Sequence, residues 1–152
     1  MTTFPHPDIT SLDASADFLR AHQDEQLYLR WSRGPEADLA DETGSLDDLT
    51  RVPLPGLSVT ALSVEDWWQD RPLRLWVARR LYDYCHLRRD KAPGVHPWVL
   101  TGTEIARGPD NEPLLVDARP LARVSEHVMN EARHEIAGQP GRWGPMRRTG
   151  DR

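Results

Sequence analysis

Residues 26 to 32, QLYLRWS, alternate strictly, with Leu27, Leu29 and Trp31 on one side of an extended chain and Tyr28 and Arg30 on the other. Period-two alternation marks a strand with one buried and one wetter face. A strand cannot satisfy its own backbone donors and acceptors, so this segment commits the chain to a sheet. Its exit is legible as well: Arg33-Gly34-Pro35 reads as a turn and Glu36 to Ala40 as one helical turn.

Further strands are expected at Gly56 to Thr60, where Leu57 and Val59 face inward and Ser58 and Thr60 share the opposite face. His96 to Thr101 and Glu104 to Arg107 read as two strands joined around Gly102 in a hairpin. Gly108-Pro109-Asp110-Asn111 is a strong turn, followed by strands at Glu112 to Val116 and Leu121 to Val124. Ser11 caps a helix over residues 12 to 22, with Leu12, Ala16, Phe18 and Leu19 on its apolar face. Ser125 caps a last helix carrying Val128, Met129, Ala132 and Ile136, which Gly138 ends. The dominant helix is amphipathic, since Leu73, Trp76, Val77, Leu81 and Tyr84 recur every three to four residues. Basic Arg88, Arg89 and Lys91 suit its C-terminus, and Pro93-Gly94 stops it. Upstream, Ser63 with Asp66 three residues later is a helix-start signal, for a helix that either runs through Pro72 or restarts there.

Helices packed against a small mixed or antiparallel sheet make this an α+β chain. Its 152 residues suit one domain, expected over 11–137, with a flexible 1–10 and an Arg/Gly/Pro-rich tail over 138–152 in which Trp143 and Met146 are the candidate anchors. Residues 41 to 50 read as an exposed acidic loop. No run approaches the length of an apolar membrane span, and MTTFPHPDIT has neither the basic region nor the apolar core of a signal peptide. The expected location is the cytoplasm. The single cysteine, Cys85, fits that expectation and reads as a small core residue.

Charge is segregated along the chain. Residues 1 to 50 hold eleven acids against three arginines, whereas 71 to 91 hold seven bases against Asp83 and Asp90. The pattern means either intramolecular complementarity or a polarised surface offered to a partner. A net charge of -5 argues against a general nucleic-acid binder.

Several chemistries have strict spacing rules that the chain does not meet. It has no Cys-x-x-Cys, His-Glu-x-x-His or calcium-loop pattern, and its six histidines are scattered. His127 and His134, with Glu131 between them, share a helix face but make an ordinary solvated one, so no metal is expected. Cys85 and His86 are helix neighbours that point apart, and Ser58 lacks the second glycine of a nucleophile elbow. Phosphate-loop and dinucleotide fingerprints are absent too.

The polar groups left on the expected strands are Tyr28 and Arg30, Ser58 and Thr60, then Glu112. Arginine clamps phosphate bidentately, a hydroxyl orients a ribose, and a glutamate stabilises developing positive charge. Arg30 in Leu-Tyr-Leu-Arg-Trp, Ser58 in Gly-Leu-Ser-Val-Thr and Glu112 in Asn-Glu-Pro-Leu-Leu together resemble the arginine, serine and glutamate pattern of the ADP-ribosyltransferase fold. That resemblance implies NAD as cofactor, with Arg30, Tyr28 and Thr60 binding it and Ser58 and Glu112 promoting ADP-ribose transfer. Val59 and Asp110 depart from the family's usual Ser-Thr-Ser and paired-acid patterns. From about residue 26 to 135, runs such as Leu-Tyr-Leu-Arg-Trp-Ser-Arg-Gly-Pro, Trp-Val-Leu-Thr-Gly and Arg-Gly-Pro-Asp-Asn-Glu-Pro-Leu resemble a family of small uncharacterised actinobacterial proteins. This second resemblance implies a stand-alone domain and brings no reaction with it.

The competing account is plainer. Arg30 pairs with one of the N-terminal acids, Ser58 and Thr60 occupy the wetter sheet face, and Glu112 faces solvent beside a turn. Trp67 and Trp68 point about 100 degrees apart on a helix, so one of them is expected near the surface, where with Arg71 it forms a candidate partner contact. The overall expectation is an intracellular binding or regulatory domain without catalysis, needing no cofactor and meeting a protein or small molecule. The alternatives are the NAD-dependent transferase and an RNA-binding domain using the arginine-rich helix.

Overall fold

The computed structural model describes residues 7–40, 49–84 and 95–138. Along the chain these form β1 (Asp8–Ile9), α1 (Leu12–Ala21), β2 (Tyr28–Ser32), α2 (Pro35–Ala40), β3 (Leu57–Ser58), β4 (Thr60–Ala61), a 3-10 turn at Asp66–Trp68, α3 (Leu73–Tyr84), β5 (His96–Arg107), β6 (Pro113–Val124) and α4 (Glu126–Ala137). Cys85, His86, the Arg88–Lys91 basic run, the Pro93-Gly94 stop, most of the 41–50 loop and Trp143 and Met146 lie outside the described residues.

The sheet has the order β1-β6-β5-β2-β4, antiparallel throughout except for β1 beside β6. β3 lies off this path and pairs with β6 through Leu57 opposite Leu115 and Ser58 opposite Leu114. Only Val59 separates β3 from β4, and β4 pairs with β2 through Ala61 opposite Tyr28. Segment 57–61 is thus bonded to β6 at its start and to β2 at its end, so the sheet closes on itself.

Tyr28, Leu57, Val59, Trp98, Leu100 and Leu115, drawn from every member of the ring, form the cluster inside the closure. Leu57 and Val59 both point into it, as the alternation predicts. The opposite face carries the main core, where Leu29, Trp31, Val99, Ala122 and Val124 meet Leu12 and Leu19 of α1, Trp76, Val77 and Leu81 of α3, and Val128 and Met129 of α4. β2 is therefore packed on both sides, with Tyr28 and Leu29 at 4% and 1% exposure. Each fully buried large side chain of this kind contributes roughly 1.5–3 kcal/mol.

Helix ends follow local chemistry only in part. Ser11 caps α1 through a 3.0 Å bond from the Ala14 amide to its Oγ, and the Leu12 amide is taken by Glu131 of α4 at 2.9 Å. Ser63 does not cap a helix; its Oγ accepts the Leu27 amide at 2.8 Å, tying the loop to the start of β2. Gln69 at φ 59°, ψ −131° ends the 3-10 turn, and α3 begins afresh after Pro72. Ser125 occupies the N-cap position of α4 without a side-chain capping bond.

Three other expectations are corrected. β5 runs through Gly102 without a hairpin there, with a register shift across Gly102 and one on either side. A Cβ at Gly102 would lie 3.1 Å from the Val116 carbonyl oxygen, so the missing side chain allows close strand approach in place of a turn. Pro113–Val124 is likewise one strand, carried past Asp117 at φ 55° by its pairing with β5. The real hairpin turn is at 108–111, where Gly108 N donates to Glu112 O at 2.8 Å and Asn111 takes the left-handed conformation at φ 63°. Asp8 and Ile9, expected within a flexible terminus, are held because β6 offers an edge and the core takes in Ile9.

Candidate functional site

Alternation along β2 sends Arg30 and Ser32 to the face of the inner cluster, and pairing sets Arg30 opposite Trp98. The turn after Ser32 brings α2 back over this end of the sheet. Arg30 Nε donates to Asp38 Oδ2 at 2.7 Å, with the two side chains only 16% and 12% exposed. Ser32 Oγ donates to the same carboxylate and accepts from Trp98 Nε1 at 2.9 Å and from the Gly34 amide at 3.2 Å. A charge this far from water needs a partner, and Asp38 supplies it.

The same guanidinium reaches β3. Arg30 Nη1 donates to the Ser58 carbonyl at 2.7 Å, Ser58 Oγ donates to Glu112 Oε2 at 3.1 Å, and Glu112 Oε1 accepts the Asp110 amide at 2.9 Å. Arg30, Ser58 and Glu112 are therefore joined in one hydrogen-bonded chain. Its link at Ser58 passes through the backbone: Leu57 and Val59 point into the inner cluster, so the Ser58 hydroxyl leaves on the other side of the strand. The guanidinium touches the main chain of Ser58 and the carboxylate touches its side chain.

Tyr28 shares the Arg30 face, with its ring in the inner cluster. Burial, then the nearby Glu104 carboxylate, push its phenol above the ordinary value, and Arg107 opposes them. Thr60 goes elsewhere. It pairs with Leu29, which faces the main core, so Thr60 lies on the helix side and does not join Arg30. Asp38, Ser32 and Trp98 complete the polar network, and sequence reasoning singled out none of them. The available signal was the acid-rich helical turn following Gly34-Pro35.

The second candidate surface lies before α3. Trp68 is wholly buried, while Trp67 is 39% exposed. Trp67 meets Trp68 and Trp76 edge-on, with ring centroids 5.8 and 5.5 Å away, and its Nε1 donates to Glu65 at 3.0 Å. Arg71 sits over the Trp68 ring at 5.5 Å. Trp68 is thus part of the core, and Trp67 with Arg71 is what the surface offers.

Arginines of α3 engage their own chain. Arg74 joins Asp13 of α1 and Glu135 of α4, and Arg80 donates to the Ala61 carbonyl while lying over Trp76. Arg74–Asp13, Arg119–Glu25 and Arg123–Glu36 pair acids from the first fifty residues with arginines from the rest. Among the described residues the charge segregation is in part intramolecular complementarity. His127 lies 3.9 Å from Glu131, and no group of three or more His, Cys, Asp or Glu among the described residues is placed to hold a metal ion. No helix among them is long and apolar enough to cross a membrane.

No curated protein and no solved structure matches the chain. One protein-family model does, over residues 3–144, and spans the closed sheet and the four described helices. The protein belongs to that family, a family of unknown function (DUF6098).

Proposed function

We propose that this is a binding or regulatory domain without catalysis of its own, which meets its partner through the surface around Trp67 and Arg71 and uses no cofactor. The observation that carries the reading is the engagement of Arg30, whose guanidinium is already held by Asp38 and the Ser58 carbonyl. To clamp a phosphate it would have to leave a shielded carboxylate, and separating such a pair costs on the order of 3 kcal/mol. Glu112 is engaged in the same way, by Ser58 and the Asp110 amide.

One observation favours a second reading, an ADP-ribosyltransferase-like enzyme binding NAD. Arg30, Ser58 and Glu112, the three positions of that resemblance, lie on a single hydrogen-bonded chain. Calorimetric titration with NAD separates the two. The folded wild type is expected to give no saturable heat. Saturable binding that disappears in folded Arg30→Ala and Glu112→Gln variants would replace the binding-domain reading with the enzymatic one and call for an assay of nicotinamide release.

A further inference from the structure

We infer that the Trp67 surface takes a basic peptide segment, one that lays an arginine or lysine against the Trp67 ring. This names the chemistry of the partner and rests on the binding-domain reading above. The Trp67 indole is fixed from behind by Trp68 and Trp76 and keeps 39% of its surface open. On the same loop, Glu65, Asp66 and Asp70 are all exposed.

Several acids elsewhere in the fold are neutralised by arginine. Asp13, Glu25, Glu36, Asp38, Glu104 and Glu135 are each ion-paired with an arginine. Asp66 and Asp70 ion-pair with no described residue, and Glu65 accepts the Trp67 indole N–H, which keeps its carboxylate beside the ring. The one arginine within the loop, Arg71, is over Trp68. An exposed aromatic ring and acids without an ion pair among the described residues therefore coincide on this loop.

Each partner class meets that surface differently. An acidic segment or a nucleic acid is repelled by the three carboxylates. A neutral apolar segment gains the ring but desolvates carboxylates without pairing them. A guanidinium or ammonium gains both, because the ring face attracts cations, Glu65 lies beside it and Asp66 and Asp70 share the loop. The loop is also set in advance. Gln69 N donates to Asp66 O at 3.1 Å, Arg71 N to Trp68 O at 3.4 Å and Trp68 Nε1 to Pro72 O at 3.2 Å, so little ordering is left for the moment of binding.

The test is calorimetry of the full chain with a synthetic peptide of alternating arginine and glycine, its glutamate counterpart and a single-stranded RNA oligonucleotide. Saturable binding of the arginine peptide is expected, weakening with salt and falling roughly tenfold or more in Trp67→Ala and in the Asp66→Asn/Asp70→Asn double variant. The double variant leaves the tryptophan packing intact and so guards against a folding artefact. No saturable binding, equal binding by both variants, or preference for the glutamate peptide or RNA would overturn the inference. Self-association abolished by Trp67→Ala would do the same, by assigning the surface to a second copy. NAD titration of the same preparation reports on the underlying reading separately: NAD binding lost with Glu112→Gln sinks that reading, whereas silence from the arginine peptide sinks only this one.

Discussion

At the Arg30 end of the closed sheet, polar groups are partnered within the chain: guanidinium to Asp38 and Ser58, Ser32 to Asp38 and Trp98, Glu112 to Ser58 and Asp110. On the Trp67 loop an aromatic ring stays partly open and Asp66 and Asp70 ion-pair with no described residue. Burial explains the contrast. A shielded charge without a partner is costly, so the sheet end had to become self-sufficient, while exposed carboxylates are content in water. Residue types typical of active sites are here engaged within the fold, while the acidic Trp67 loop stays open to solvent.

Breaking the self-sufficient end should have the largest effect. Asp38→Ala strands the Arg30 guanidinium and removes the acceptor of Ser32, and is expected to lower stability by about 3 kcal/mol in denaturant unfolding. A variant as stable as the wild type would show that the pair does not hold α2 to the sheet. Next comes the loop backbone. Gln69 at φ 59°, ψ −131° occupies a conformation that glycine adopts without penalty, so Gln69→Gly is expected to stabilise by about 1 kcal/mol. A loss of stability instead would mean that the Gln69 side chain, and not the backbone, sets the turn.

The Asp66→Asn/Asp70→Asn double variant is expected to stay within roughly 0.5 kcal/mol of wild type, because exposed acids without ion pairs contribute little to folding. A larger shift in midpoint would mean that these carboxylates, like Asp38, help to hold the fold. Smallest at neutral pH is the contribution of Tyr28, whose hydroxyl bonds to no described residue. Its raised phenol keeps its proton longer in the folded state than in the unfolded one, so its stabilisation is complete below pH 10 and is lost as pH rises through the higher folded value. Tyr28→Phe should leave neutral-pH stability nearly unchanged and flatten the alkaline decline. An unaltered decline in the variant would assign it to other groups.

Legibility in the sequence tracked the distance over which the deciding contacts act. The β2 alternation, the Ser11 cap, the 108–111 turn and the apolar faces of α1, α3 and α4 all arise within a few residues and were readable. Ser63 and Ser125 carried capping signals of the same strength, yet Ser63 was diverted to the Leu27 amide and Ser125 makes no side-chain capping bond. Gly102 looked like a turn because a glycine between two short apolar runs has the same local pattern whether the chain reverses or a neighbouring strand comes close. The convergence of Arg30, Ser58 and Glu112 could be posed from the sequence as a question, but its answer depended on Asp38 and on the path of segment 57–61.

By itself the sequence determined an α+β chain with an apolar-faced strand leaving through Gly34-Pro35, a dominant amphipathic helix and acids segregated from arginines. These follow from backbone periodicity, side-chain entropy and turn chemistry, which act locally. The tertiary structure decided that the sheet closes through 57–61, that Asp38 claims Arg30, that Trp68 is core while Trp67 is surface, and that Asp13, Glu25 and Glu36 meet arginines from distant parts of the chain. Those outcomes rest on which distant groups are removed from water together, and burial is a property of the assembled chain.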